Sequence, residues 1–230
     1  VITEIIGRLL YKYESSSYII KNRARFLLYL ILTLLIIAPV LIIYHSYIHS
    51  HSSSYNYKIQ LSVIGPELAA FLLFFVVLII LIKGYFSLAG NLLLTITQTT
   101  IWGIMFISDT DLLTRTDTIV LIAATFTMMP IIAVDSKKIF AIYPIINIAL
   151  LFLLTFIFNE QFQLTEISRR DYLSDNTIAF IFSGIVSYTV FSINSRALER
   201  AESEIAERKK LKSRETGCRC SCCSRRSLNR

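Results

Sequence analysis

Six apolar blocks free of charged residues decide what this chain can fold into. They are Phe26–Tyr44, about Leu68–Ile82, Tyr85–Ile107, Thr118–Val134, Ile139–Phe158 and about Ile178–Ile193. Several reach the ~20 residues that a helix needs to cross ~30 Å of hydrocarbon, at ~1.5 Å per residue. The fourth and sixth are shorter, and flanking Ser, Thr and Asn extend them. These blocks do not read as core helices of a soluble protein, because too little polar sequence remains to cover such a core. Of the 230 residues, 54% are apolar and 17% charged, with a mean hydropathy of +0.60. A soluble domain lies nearer ~45–50% apolar and ~25% charged. The predicted fold is therefore an all-α membrane protein with six transmembrane helices in residues 26–195. The chain begins at Val1 without an initiator methionine or a cleavable signal pattern, as a fragment or a processed chain would.

Between the blocks, the basic residues give the expected orientation. Thirteen fall on one side: from Lys12 to Arg25, at Lys83, at Lys137 and Lys138, and from Arg196 to Lys212. Four fall on the other: Lys58, Arg115, Arg169 and Arg170. The positive-inside rule then places both termini in the cytoplasm, and an even number of spans agrees. The net charge of +7 is spent on these loops and ends. The expected partner is thus the lipid bilayer and not a nucleic acid. The turns at Lys83-Gly84 and Asp135–Lys138 are so short that each predicts an antiparallel hairpin. The outer connection over residues 159–176 is long enough for a short interfacial helix.

Residues 1–25 form the N-terminal segment. In it Ile2, Ile5, Ile6, Leu9, Leu10 and Tyr13 recur at helical spacing against Glu4, Arg8 and Lys12. This fits an amphipathic helix on the cytoplasmic membrane surface, or one packed on a soluble partner or on further sequence. Glu14 and the three serines after it predict a break.

Inside the spans, ionisable groups are almost absent. Glu67, after Gly65-Pro66 at the outer end of span two, is expected to reach water. No acid–base chain marks a proton path, which argues against a pump or an ion-coupled carrier. Span three is the most polar. Asn91, Thr95 and Gln98 share one helical stripe, which serves either as hydrogen-bonding glue between helices or as a polar pocket for a ligand. Trp102 near its outer end suits an interfacial anchor. Span six carries the small-residue ladder Ala179, Ser183 and Ser187, suited to close contact within the chain or with a second copy. His45, His49 and His51 fall together at the outer end of span one. They suit metal binding, acid sensing or a polar loop. No His-Glu-x-x-His, Gly-x-Ser-x-Gly, P-loop or Gly-x-Gly-x-x-Gly pattern occurs, so neither an enzyme activity nor a cofactor is expected of this chain.

Span six runs on without Gly or Pro from Ile185 to Lys212. Leu198, Ala201 and Ile205 form a narrow apolar seam, and Arg200/Glu204 and Glu204/Arg208 are charge pairs four apart. The stretch from Arg196 to Leu211, RALERAESEIAERKKL, resembles the linker that leaves the last span of bacterial membrane sensors. The spans before it resemble the polytopic sensor modules of bacterial sensor histidine kinases. The resemblance implies a homodimer through span six and the linker helix at 196–212. It also implies a bacterial inner-membrane location and a C-terminal output domain (a histidine-kinase transmitter, PAS domain or cyclase) missing from this chain. The transmitter's phosphorylatable His and ATP-binding boxes have no counterpart here, so this chain carries no kinase chemistry. A small transporter or channel, lined by spans three and six, is the second reading. Residues 213–230 are a Cys/Ser/Arg-rich tail, expected to be disordered or foreign to the domain; Cys218, Cys220, Cys222 and Cys223 lack zinc-finger spacing.

Overall fold

The computed structural model describes residues 2–51, 57–107, 118–132, 138–158 and 166–227. Side chains are described within residues 6–47, 61–62, 64–107, 118–132, 138–158 and 166–208. The described residues form seven α-helices and no strand: α1 (Ile2–Leu9), α2 (Tyr18–His51), α3 (Tyr57–Ile82), α4 (Phe86–Ile107), α5 (Ile119–Ile132), α6 (Ile139–Ile157) and α7 (Glu166–Ser227). Five of these, α2, α3, α4, α6 and α7, contain stretches long and apolar enough to cross a membrane. α5 has 14 residues, about 21 Å at ~1.5 Å per residue, and is shorter than a full span. The outside of the bundle is apolar as well: Ile36 is 69% exposed, Val120 69% and Phe156 82%. An apolar exterior of this extent is solvated by lipid rather than water.

The sequence explains how the helices start and stop. Ser17 caps α2, its hydroxyl accepting the Ile20 N–H at 3.4 Å, as an N-cap serine does. α3 is stopped by Gly84, two residues past its end, whose φ of +96° only glycine adopts without strain. There the Tyr85 N–H donates to the Ile80 carbonyl and the Gly84 N–H to that of Leu81, a pairing that closes the helix on itself. α3 and α4 leave this turn as a packed hairpin, as the sequence predicts.

The second expected hairpin is not seen among the described residues, and residues 133–137 of its connection lie outside them. α5 and α6 each pack along α7 rather than on one another. Ser187 of α7 donates to the Phe126 carbonyl of α5 at 2.6 Å. On α7 again, Gly184 lies so close to α6 that a Cβ there would sit 2.6 Å from Pro144 Cγ. α5 also reaches α4 and α2, and a Cβ on Gly90 would meet Ile132 at 2.6 Å. The buried face of α7 is Phe180, Gly184, Ser187 and Phe191, a spacing of four, three and four that keeps to one side of a helix. Where α7 leaves the bundle, the buried Arg23 guanidinium of α2 stands over the Phe191 ring at 5.8 Å.

The N-terminal segment packs on the bundle. Ile6, Leu10 and Tyr13 are buried, and the segment straps the α3–α4 turn. Tyr13 Oη donates to the Leu81 carbonyl at 2.8 Å and Lys12 Nζ to that of Lys83 at 3.3 Å. Glu14 to Ser17 separate it from α2 as expected. The expected interfacial helix before span six is instead the start of α7, which runs unbroken from Glu166. At its far end α7 shows no break at Lys212, and its backbone is helical through most of the 213–230 tail.

Candidate functional site

Near the middle of α4, α5 and α6, four polar side chains meet in an otherwise apolar bundle. Gln98 and Trp102 come from α4, Thr125 from α5 and Asn147 from α6, and all four are buried. Asn147 Oδ1 accepts from Gln98 Nε2 and from Trp102 Nε1, the latter at 2.8 Å. The single Thr125 hydroxyl proton is shared between the Ile122 carbonyl of its own helix, at 2.7 Å, and Gln98 Oε1, at 3.3 Å. Asn147 Nδ2 donates to the Tyr143 carbonyl at 2.8 Å. Hydrocarbon offers such groups no partner, and each one left unpaired costs several kcal/mol. Paired, each bond between helices contributes roughly 0.6–2 kcal/mol. The cluster thus ties α4 to α5 and α6 near the midpoints of these helices.

α4 and α6 meet through these side chains rather than through closely packed backbones. Thr95 faces Tyr143, Gln98 faces Asn147, and Phe106 lies near Phe158 with ring centroids 6.3 Å apart. The two helices therefore run in the same direction, and the gap between them is a cleft of about 530 Å³. Thr95, Gln98, Thr99, Trp102, Gly103 and Phe106 line one wall; Tyr143, Ile146, Asn147 and Leu150 line the other. No lining side chain is charged. The chemistry available is hydrogen bonding and aromatic contact, without an acid, a base or a nucleophile.

The polar stripe of span three is split by this geometry. Gln98 enters the cluster and Thr95 stands on the cleft wall. Asn91 is exposed and lines a separate depression with Tyr13 and Gly84. Trp102 is no interfacial anchor: it is 4% exposed and its indole N–H is spent on Asn147. Sequence reasoning missed Asn147 itself, although an amide in the middle of an apolar span is the signal that marks it.

Of the ladder on α7, Ser187 is buried against α5, Ser183 is half-buried and Ala179 is exposed. The contact made by Ser187 lies within the chain. Gly184, one place from the ladder, makes the closest approach. On the projecting part of α7, Leu198 and Ala201 are half-buried and Ile205 is exposed.

At the opposite end of the bundle from Lys83, Glu67 does not simply reach water. Its Oε1 accepts from His45 Nδ1 at 2.7 Å, and its side chain is only 12% exposed. Its Oε2 is buried with no partner among the described residues. His49 and His51 lie on the last turn of α2, and their side chains fall outside the described residues. Among the described residues, no three or more His, Cys, Asp or Glu side chains gather where a metal ion would sit.

Compared with protein families, with curated proteins and with solved structures, the chain matches none.

Proposed function

We propose that this chain is the membrane-embedded input module of a bacterial signal-transduction receptor. In this reading it crosses the inner membrane six times, with α5 and its flanking residues as the fourth span and both termini in the cytoplasm. A stimulus acting on the bundle shifts or rotates α7. That helix passes the movement to an output domain joined after Lys212, a histidine-kinase transmitter by resemblance, in a homodimer held by the Leu198, Ala201 and Ile205 seam.

The observation that carries this reading is that one helix belongs to both places. α7 is packed inside the bundle through Phe180, Gly184, Ser187 and Phe191, and continues unbroken beyond it. A rod of this kind conveys rotation as long as its register holds. One inserted residue turns everything after it by ~100°.

The test joins a kinase transmitter after Lys212 and inserts one to seven residues after Arg200. Kinase activity is expected to oscillate with insertion length and to return towards the parent value at seven, where the heptad phase is restored. Activity indifferent to insertion length would make α7 a passive tether. Reporter fusions test the topology: cytoplasmic readings are expected at residues 20, 84, 137 and 205, and external readings at 52, 112 and 168. An external reading at 205 removes the proposed route.

A further inference from the structure

The cleft between α4 and α6 contains a glycine that packing does not require. Gly103 lies inside α4, where glycine is a poor helix former. A Cβ built on it meets no atom within 4 Å. Gly90 and Gly184 differ in this respect, since each is forced by a neighbouring helix. What the missing side chain of Gly103 does is widen the cleft and bare the backbone beside Trp102 and Phe106, as glycine does where a ligand approaches a main chain closely.

We propose that the α4–α6 cleft is a binding site for a neutral, lipid-soluble ring compound that carries a carbonyl group. Neutrality follows from the lining, which has no charge to compensate a charged ligand at mid-membrane depth. The preference for a ring follows from Trp102, Phe106 and Tyr143, three aromatic side chains that line the same space as Gly103. The carbonyl follows from the balance of the amides. Asn147 Oδ1 already accepts two bonds, whereas the Gln98 and Asn147 amide nitrogens each donate one of their two N–H groups. Gln98 Oε1 accepts from Thr125 and keeps one lone pair, so the amides offer two N–H donors against one acceptor position, a balance that favours an acceptor on the ligand. At about 530 Å³ the cleft is of the size that takes a small organic ligand. In the proposed receptor this compound is the stimulus; that role rests on the receptor reading, and binding itself does not.

Trp102 is the single tryptophan of the chain, so its fluorescence reports the cleft directly. The purified full chain in lipid nanodiscs is titrated with 1,4-naphthoquinone, a neutral quencher. Quenching is expected to saturate and to be reversed by 2-decalone, an optically silent ring ketone. Decalin, which has the same rings without the carbonyl, should reverse it at least tenfold less well. Gly103→Leu fills the space and should weaken naphthoquinone binding at least tenfold. Gly103→Ala adds one methyl group where nothing obstructs it and should fall between the two, which keeps the test valid should the leucine variant not fold. Quenching that never saturates and is equal in all three proteins would overturn the proposal, as would equal competition by decalin and decalone. So would strong quenching by brominated acyl-chain phosphatidylcholine that decalone does not relieve, because a lipid tail would then occupy the cleft. Saturable binding without any effect on a joined kinase would uphold the site and remove its role as the stimulus site, while the insertion series tests the receptor reading separately.

Discussion

The α3–α4 pair and the α5–α6 pair are each joined by only a few residues, yet only the first packs as a hairpin. At Lys83-Gly84 the backbone closes on itself and the Tyr13 strap holds the turn from outside. The helices leaving it have no third helix to separate them. Six residues, 133–138, join α5 to α6 against three between α3 and α4, and α7 offers α5 and α6 each a better partner. On one face of α7, Gly184 receives Pro144 of α6 and Ser187 donates to the Phe126 carbonyl of α5. A short connection limits how far apart two helix ends can stand. Which faces meet is decided by where a small residue lets two backbones approach.

The strongest way to break that difference is Gly184→Ala. The new methyl would meet the rigid Pro144 ring at 2.6 Å and the Phe140 carbonyl at 3.5 Å. Overpacking of this kind costs about 2–3 kcal/mol. The expected result is a lower thermal midpoint in detergent, with weaker disulfide cross-linking between cysteines placed on α6 and α7. The α3–α4 pair should be unaffected. Unchanged cross-linking would show that α7 does not hold α6.

Asn147→Leu is expected to come next. It removes the acceptor shared by Gln98 and Trp102 and costs about 1–2 kcal/mol. Freed of its partner, the Trp102 indole should shift its emission; an unchanged spectrum and midpoint would deny the cluster its part in joining α4 to α6.

Tyr13→Phe tests the strap on the other pair, at about 1 kcal/mol for the lost bond to Leu81. Burial pushes the Tyr13 phenol up from 10 to about 12. The raised value means that the docked state favours the neutral phenol. Docking is therefore at full strength below pH 10 and is lost as the pH rises towards 12. A spin label at Gly7, where a side chain meets nothing within 4 Å, should become more mobile across that window. In Tyr13→Phe the mobility should be higher at neutral pH and should not vary in this way.

The smallest effect has the opposite sign. Gly103→Ala should stabilise α4 by about 0.5–1 kcal/mol through helix propensity alone. Measured beside Gly184→Ala, it separates a glycine kept for packing from one that packing does not need.

The places of the helices were legible in the sequence because hydropathy along one chain reports burial in lipid directly. Their faces were not. The stripe through Asn91, Thr95 and Gln98 assumed that one helix face meets one environment, whereas α4 borders α3, α5 and α6 in turn. Trp102 was placed by its nearness to a helix end, and that rule fails when an amide such as Asn147 waits at the same depth on another helix. His45 and Glu67 stand 22 residues apart and meet because α2 and α3 are antiparallel neighbours; matching their depths would have paired them. Ser187 was visible in its ladder. Gly184 was not, because a helical contact face repeats every ~3.6 residues and slips from every fourth position by about one residue in two to three turns.

The Arg23–Phe191 contact also gives α7 a pivot. Beyond Phe191 the helix has no further buried side chain up to Arg208, about 26 Å along the axis at ~1.5 Å per residue. A swing of about 5° around that point would carry Arg208 sideways by about 2 Å, the size of helix displacement that switches packed interfaces. On the bundle side Gly184 is only two turns from the same pivot, so the motion required there is well under 1.5 Å, smaller than the step of a single residue. In the proposed receptor the long helix would work as an unequal-armed lever, converting a slight yielding around Pro144 into a larger displacement at its far end.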